Sequence, residues 1–168
     1  MTKNKETFLQ LMQDNKGIII KICNSYCTGK DDRDDLAQEI VFNLWKAFED
    51  YTPDFKFSTW MYRIGLNVAI SFYRKEMRSI KFSAYSEDLI VFDDEGENKL
   101  EKEDRLVLLQ KFIQELKEID KSIMLLYLDN KSYGEIAEIV GITETNVATK
   151  ISRIKIDLKS KTQTINKQ

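Results

Sequence analysis

Residues 86 to 104, SEDLIVFDDEGENKLEKED, break a chain that elsewhere repeats its apolar residues at helical spacing. Between Glu87 and Asp104 nine acids and two lysines leave a local charge of −7, and like charge at that density opposes compaction of the backbone. The stretch therefore reads as a tether, residues 81–104, between a first unit, 1–80, and a second, 105–168. Such a tether lets its flanking units take a separation set by a partner, while its carboxylates repel DNA or imitate it on a basic surface. A solvated loop with no regulatory role fits the same composition.

With one Pro and six Gly in 168 residues there is little turn chemistry for a multi-stranded sheet, and the expected fold class is all-α: two small helical domains. The net charge of −2 conceals a segregation. Outside Glu87 to Asp104 the chain carries +5, concentrated in Phe55 to Lys81 and in Lys150 to Gln168, each with six cations against one acid. There is no histidine, so histidine catalysis is excluded. Two cysteines, Cys23 and Cys27, fall short of the four ligands of a structural zinc site and read as packed thiols, so no metal or cofactor is expected. The longest apolar runs are too short for a bilayer and the polar start MTKNKETFLQ is not a signal peptide, which predicts a cytoplasmic protein.

In the first unit, RDDLAQEIVFNLWKAF places Leu36, Ala37, Ile40, Val41, Leu44 and Phe48 on one broad face, the expected core. The other face carries Asp35, Gln38, Glu39 and Lys46 around Phe42, which is either an incidental exposed ring or a docking spot. Adjacent acids such as Asp34 and Asp35 point about 100° apart on a helix and do not converge on one site, so they read as recognition charges rather than acid and base. Pro53 makes DYTPDFKF a loop, and Ser58 is expected to cap a helix beginning at Thr59. On that helix Trp60, Arg63, Asn67, Ser71 and Arg74 fall within an arc of about 80°. Guanidiniums neutralise phosphates and aromatic rings stack on unpaired bases, so this stripe, with Phe55, Lys56 and Phe57 of the loop before it, suits single-stranded DNA. Taken alone, an ordinary solvated face explains it too.

In the second unit Ser132 and Glu135 form an S-x-x-E capping box, Gly141 supplies the turn that stops a short helix, and Thr143 can cap the next. Val147, Ile151, Ile154 and Leu158 form the buried stripe of that longer helix, and small Ala137 permits a close crossing. This is the pattern of a helix-turn-helix. Its outward side presents Thr145, Asn146, Thr149 and Arg153, with Lys150 on the flank, groups able to meet base edges and phosphates in a major groove.

In this order, DDLAQEIVFNLWKAF, FSTWMYRIGLNVAISFYRK and SYGEIAEIVGITETNVATKISRIKIDL resemble the extracytoplasmic-function sigma factors of the sigma-70 family, across nearly the whole chain. The resemblance implies a transcription initiation factor that directs core RNA polymerase to promoters and assists melting, without enzymatic activity. It implies that Asp34, Asp35, Gln38, Glu39 and Phe42 grip the β′ coiled coil. It further implies that Phe55, Lys56, Phe57, Trp60, Arg63, Asn67, Ser71 and Arg74 serve the minus-ten element, where a flipped base is captured. The helix with Thr143, Thr145, Asn146, Thr149, Lys150 and Arg153 would read the minus-thirty-five element. Partners implied in the same way are core polymerase, through the β′ coiled coil and β flap, promoter DNA and an anti-sigma factor, often membrane-bound. The competing reading is a dimeric helix-turn-helix regulator acting alone, which leaves the Phe42 face and the Trp60 to Arg74 stripe without a task.

Overall fold

The computed structural model describes residues 4–82 and 101–165, and every regular element among them is helical. The first unit holds α1 (Lys5–Asp14), α2 (Lys16–Tyr26), α3 (Lys30–Ala47), a 3₁₀ turn (Phe48–Asp50) and α4 (Phe57–Phe82). The second holds α5 (Glu101–Glu115), α6 (Glu118–Leu128), α7 (Tyr133–Val140) and α8 (Glu144–Ile165). Of residues 81–104, read as the tether, 83–100 lie outside the described residues, 81–82 end α4 and 101–104 begin α5.

The helices form where the periodicity places an apolar stripe, and at α1, α7 and α8 a capping side chain also satisfies one of the first backbone N–H donors. Asn4 caps α1 by accepting from the Glu6 N–H at 3.0 Å. Leu36, Ile40 and Leu44, spaced by four along α3, are fully buried against α2 and α4, each contributing about 1.5 to 3 kcal/mol of hydrophobic stabilisation. Gly65 permits the close crossing of α4 over α2, since a Cβ there would stand 2.9 Å from Ile22 Cδ1. Rings of Phe8, Trp45 and Phe48 seat α1 edge-on against the end of α3, with centroids 5.0 Å apart in both Phe8 contacts.

The helix-turn-helix forms as its sequence predicts. The Ser132 hydroxyl accepts from the Glu135 N–H at 3.1 Å, and the Glu135 carboxylate accepts from the Ser132 N–H at 2.8 Å. Gly141 takes φ 81°, and Thr143 Oγ1 accepts from the Asn146 N–H at 3.1 Å to start α8. Val147, Ile151 and Ile154 are buried as expected, and Ala137 lies beneath the crossing.

The two units do not stand apart. One buried cluster runs from Ile22, Tyr26 and Tyr62 in the first to Ile123, Leu125, Leu126 and Ile136 in the second. The hinge of this union is α6, whose residues 121 to 126 are all buried. Met124 turns toward Phe112 and Ile154 of its own unit, while Glu118, Ser122 and Asp129, on another side, bond to the first unit. The Tyr26 hydroxyl donates to the Glu118 carbonyl at 2.6 Å and shares a 2.7 Å bond with Ser122 Oγ. Asp129 is clasped twice, by Lys21 Nζ and by the Tyr62 hydroxyl, each at 2.8 Å. Lys121 is 2% exposed, with Nζ 4.5 Å from the Tyr73 ring centroid and 5.3 Å from that of Tyr26. The two helical units are docked here through α6, a helix apolar on several sides that finds cover against both.

Candidate nucleic-acid and partner interface

Two surfaces of the first unit and one of the second carry the residues singled out in the sequence. On α3, Asp34, Asp35, Gln38 and Glu39 are exposed, and the Phe42 ring is 60% exposed with Lys46 Nζ 5.7 Å from its centroid. Phe42 is therefore not core. It borders a groove of about 550 Å³ between α1 and α3, walled by Phe8, Leu9, Ala37, Gln38, Val41 and Trp45 with Lys5 at its rim. Val41, expected in the core, is 37% exposed, and Trp45, not singled out, is 45% exposed. The signal was available: residues 38, 41, 42 and 45 share one helical stripe, and the apolar residues of α3 are too many for one buried face. The surface is an apolar trough edged by carboxylates, able to seat a helix whose flanks are basic.

The second surface is the loop before α4 and the outer side of that helix. Around Pro53 the Phe55 N–H donates to the Thr52 carbonyl at 3.3 Å, and the Tyr51 hydroxyl donates to the Phe55 carbonyl at 2.8 Å. This leaves Phe55 58% exposed and Lys56 exposed beside it. Phe57 departs from expectation. The Trp60 N–H donates to the Lys56 carbonyl at 3.2 Å, so the helix begins at Phe57 rather than at Thr59. Within that first turn the Phe57 ring points inward, 6% exposed, against Phe48, Tyr51 and Trp60. It supports the surface from beneath instead of presenting a face to a base. Trp60 is half-buried, its centroid 5.1 Å from that of Tyr51. The two rings help to wall a hollow of about 200 Å³ with Thr52, Phe55, Thr59 and Arg63. Arg63, Asn67, Ser71 and Arg74 all emerge exposed along α4, as the arc predicts. Two of these are already engaged: Arg63 donates to the Glu138 carbonyl of α7 at 3.4 Å, and Arg74 Nε pairs with Glu118 of α6 at 2.9 Å.

The third surface lies on α8. Thr143, Thr145, Asn146, Thr149 and Arg153 are exposed. Lys150 is held by Asp120 at 2.9 Å and so leans back toward α6. Ser152 and Ile156, the latter 64% exposed, continue the outward face one and two turns further. The spacing 145, 149, 152, 156 carries that face in the sequence, beyond the polar residues that draw attention first.

Electrostatics set the interior apart from these surfaces. Burial, aided by the neighbouring Cys27, pushes the Cys23 thiol up to about 12, and burial pushes Cys27 up to about 11, so both are inert thiols. Burial likewise lowers the Lys121 ammonium from its ordinary value. No helix among the described residues is long and apolar enough to cross a membrane.

Two family models match the chain in the order of its two units: sigma-70 region 2 over residues 11–79, and sigma-70 region 4 over residues 106–158. The chain is an extracytoplasmic-function sigma factor of the sigma-70 family. It is 29% identical over 160 residues to the ECF RNA polymerase sigma factor SigW of Bacillus subtilis, covering 89% of this chain and 86% of that protein. With the RNA polymerase sigma factor NccH of Alcaligenes xylosoxydans xylosoxydans it shares 28% identity, over 90% of this sigma factor and 84% of the relative. Its fold is similar to that of CnrH solved with the cytosolic domain of CnrY, with TM-score 0.69, 21% identity and coverage of 97% and 92% of the two chains. It is similar also to the sigma factor RpoE of Bartonella quintana, solved with the anti-sigma factor NepR, with TM-score 0.67, 18% identity and coverage of 93% and 94%. As a sigma factor it is a promoter-directing transcription initiation factor.

Proposed function

We propose that this sigma factor works from the cytoplasm without enzymatic activity of its own, dividing promoter recognition and opening among its three surfaces. The trough on α3 seats the β′ coiled coil of core polymerase, with Phe42 and Trp45 in apolar contact and Asp34, Asp35, Gln38 and Glu39 meeting basic and polar groups around them. The exposed N-terminal turns of α8 enter the major groove of the minus-thirty-five element, and the second unit meets the β flap. Thr145, Asn146, Thr149 and Arg153 read bases or phosphates there, and Lys150 reaches the backbone once released from Asp120.

The observation that carries the opening role is the hollow walled by Tyr51, Phe55 and Trp60 with Arg63 beside it. A base leaving the duplex loses stacking worth a few kcal/mol, and such a hollow returns part of it through aromatic contact while arginines hold the flanking phosphates. Opening then draws its energy from binding the separated strand better than the duplex. Residues 1–80 form the polymerase-binding and melting unit and 105–168 the duplex-reading unit. An anti-sigma factor masking the polymerase-binding surfaces supplies control.

The test is in vitro transcription with core polymerase, with permanganate reactivity of unpaired thymines as a second readout. The chain is expected to impose start-site choice. Trp60→Ala should cut permanganate reactivity about fivefold or more, given about 1 to 3 kcal/mol per stacked base, and Asn67→Ala should lower it too, while closed-duplex binding in a shift assay stays the same. Equal loss of both would place these residues in general docking and overturn the assignment.

A further inference from the structure

Among the described residues, two ion pairs close the seam between the units, Lys21 with Asp129 and Arg74 with Glu118. Two others lie inside the second unit and bear on α8. Lys150 Nζ stands 2.9 Å from Asp120 Oδ1, and Lys161 pairs with Glu115. At about 100° per residue, Lys150, Asp157 and Lys161 share one flank of the outward face of α8, while Lys155 and Lys159 share the other. The first flank borders a hollow of about 580 Å³ that Glu115 and Asp120 help to wall from α5 and α6. On the second flank Lys155 Nζ lies 4.5 Å from the Tyr127 ring centroid and Lys159 is exposed. No carboxylate among the described residues forms an ion pair with either. The lysines of one flank are thus held by acids of their own unit and those of the other are not.

Asp120 belongs to the first turn of α6, where the helix dipole favours a carboxylate. It presents to Lys150 the kind of anionic oxygen that a DNA phosphate would present. An ammonium that moves from Asp120 to a phosphate exchanges one anion for another. The freed carboxylate takes up a cation from solution as the phosphate gives one up, so the contact releases little net counterion. The side chains of Asp120 and Lys150 are 21% and 39% exposed, and a pair open to water to that degree is weak enough to yield. Lys150 can therefore reach DNA, but with its gain in affinity largely offset.

We propose that Asp120 is a positioning residue for duplex binding: by holding Lys150 as a phosphate would, it cancels most of the sequence-independent affinity that this lysine would otherwise lend α8. This rests on the assignment of α8 to the minus-thirty-five duplex.

The test uses the full chain as wild type, Asp120→Asn, Lys150→Ala and the double variant, with helicity followed by circular dichroism. Binding is measured by anisotropy across a series of potassium chloride concentrations. One fluorescein-labelled duplex bears the minus-thirty-five region of a promoter mapped by transcription, and a second is shuffled at the same composition. Asp120→Asn should keep its helicity and bind both duplexes about two- to fivefold more tightly, because a phosphate contact carries no sequence information. Its plot of log affinity against log salt should steepen by about 0.9, for one further phosphate neutralised. Adding Lys150→Ala should abolish both changes.

An Asp120→Asn chain that binds no more tightly, or no more steeply with salt, than wild type overturns the proposal. So does a gain that survives in the double variant, which would be the general effect of removing one negative charge. A gain confined to the promoter duplex overturns it as well, since Asp120 would then act on base reading, and so does lost helicity in Asp120→Asn. The assignment of α8 is judged separately by Asn146→Ala, which should weaken binding to the promoter duplex and spare the shuffled one. An equal effect on both, or none, overturns that assignment, whatever Asp120→Asn does.

Discussion

At the residue scale, Glu118 and Asp129 hold the seam through ionised carboxylates. A hydrogen bond from Arg74 leads the effects that hold Glu118 below its usual range, with the Lys121 charge adding to it. For Asp129 burial acts upward, but the bonds from Lys21 and Tyr62, with the charges of Lys21 and Lys131, outweigh it and hold the group low. A carboxyl whose pKa is depressed by folding contributes stability that is fully present above its unfolded value, about 4, and is lost as pH falls through the folded value. The melting temperature of the wild type is therefore expected to stay level from pH 7 to 5 and to fall below about pH 4. Asp129→Asn, lacking one of the two groups, should show the shallower decline in the same calorimetric series; a steeper one would contradict this origin. Both ion pairs are partly exposed and each contributes at most about 1 kcal/mol, so acid weakens the seam gradually.

Among the elements, the helix-turn-helix was the most legible in sequence because its determinants are local. A capping box, a left-handed glycine and a hydroxyl cap each act within three or four residues. Gly141 at φ 81° shows the consequence. Gly141→Ala is expected to destabilise by about 1 to 2 kcal/mol, since an L side chain pays that in the left-handed region. Gly17→Ala, at an open helical position with nothing within 4 Å, should instead gain up to about 1 kcal/mol from helix propensity. Urea unfolding of the pair checks the opposite signs. The start of α4 was less legible. Ser58 is a good cap by type, but burying the Phe57 ring beneath Tyr51 and Trp60 draws the first turn two residues earlier. In α3 Val41 was read as core and Trp45 was not singled out, although both face the trough. Periodicity tells which residues share a side of a helix and is silent on whether anything covers it.

For the molecule as a whole, the docking of one unit on the other was out of reach of local reading. Its bonds join residues far apart in the chain, 67 apart for Tyr62 with Asp129 and 108 for Lys21 with Asp129. The charged stretch between the units suggested separation, and the apolar excess of SIMLLYL was the one local hint of the opposite. Because one buried cluster includes both units, thermal unfolding is expected as a single transition whose calorimetric and van't Hoff enthalpies agree. Asp129→Lys should broaden or split it, and two resolved transitions in the wild type would contradict a shared core. The run from Lys121 to Leu126, buried without interruption, has a consequence for recombination. A helix that answers to two neighbours at once cannot be retuned for either alone, so grafting the C-terminal half onto a foreign N-terminal half transplants one side of a lock without its keyhole, and such chimeras should begin unlatched.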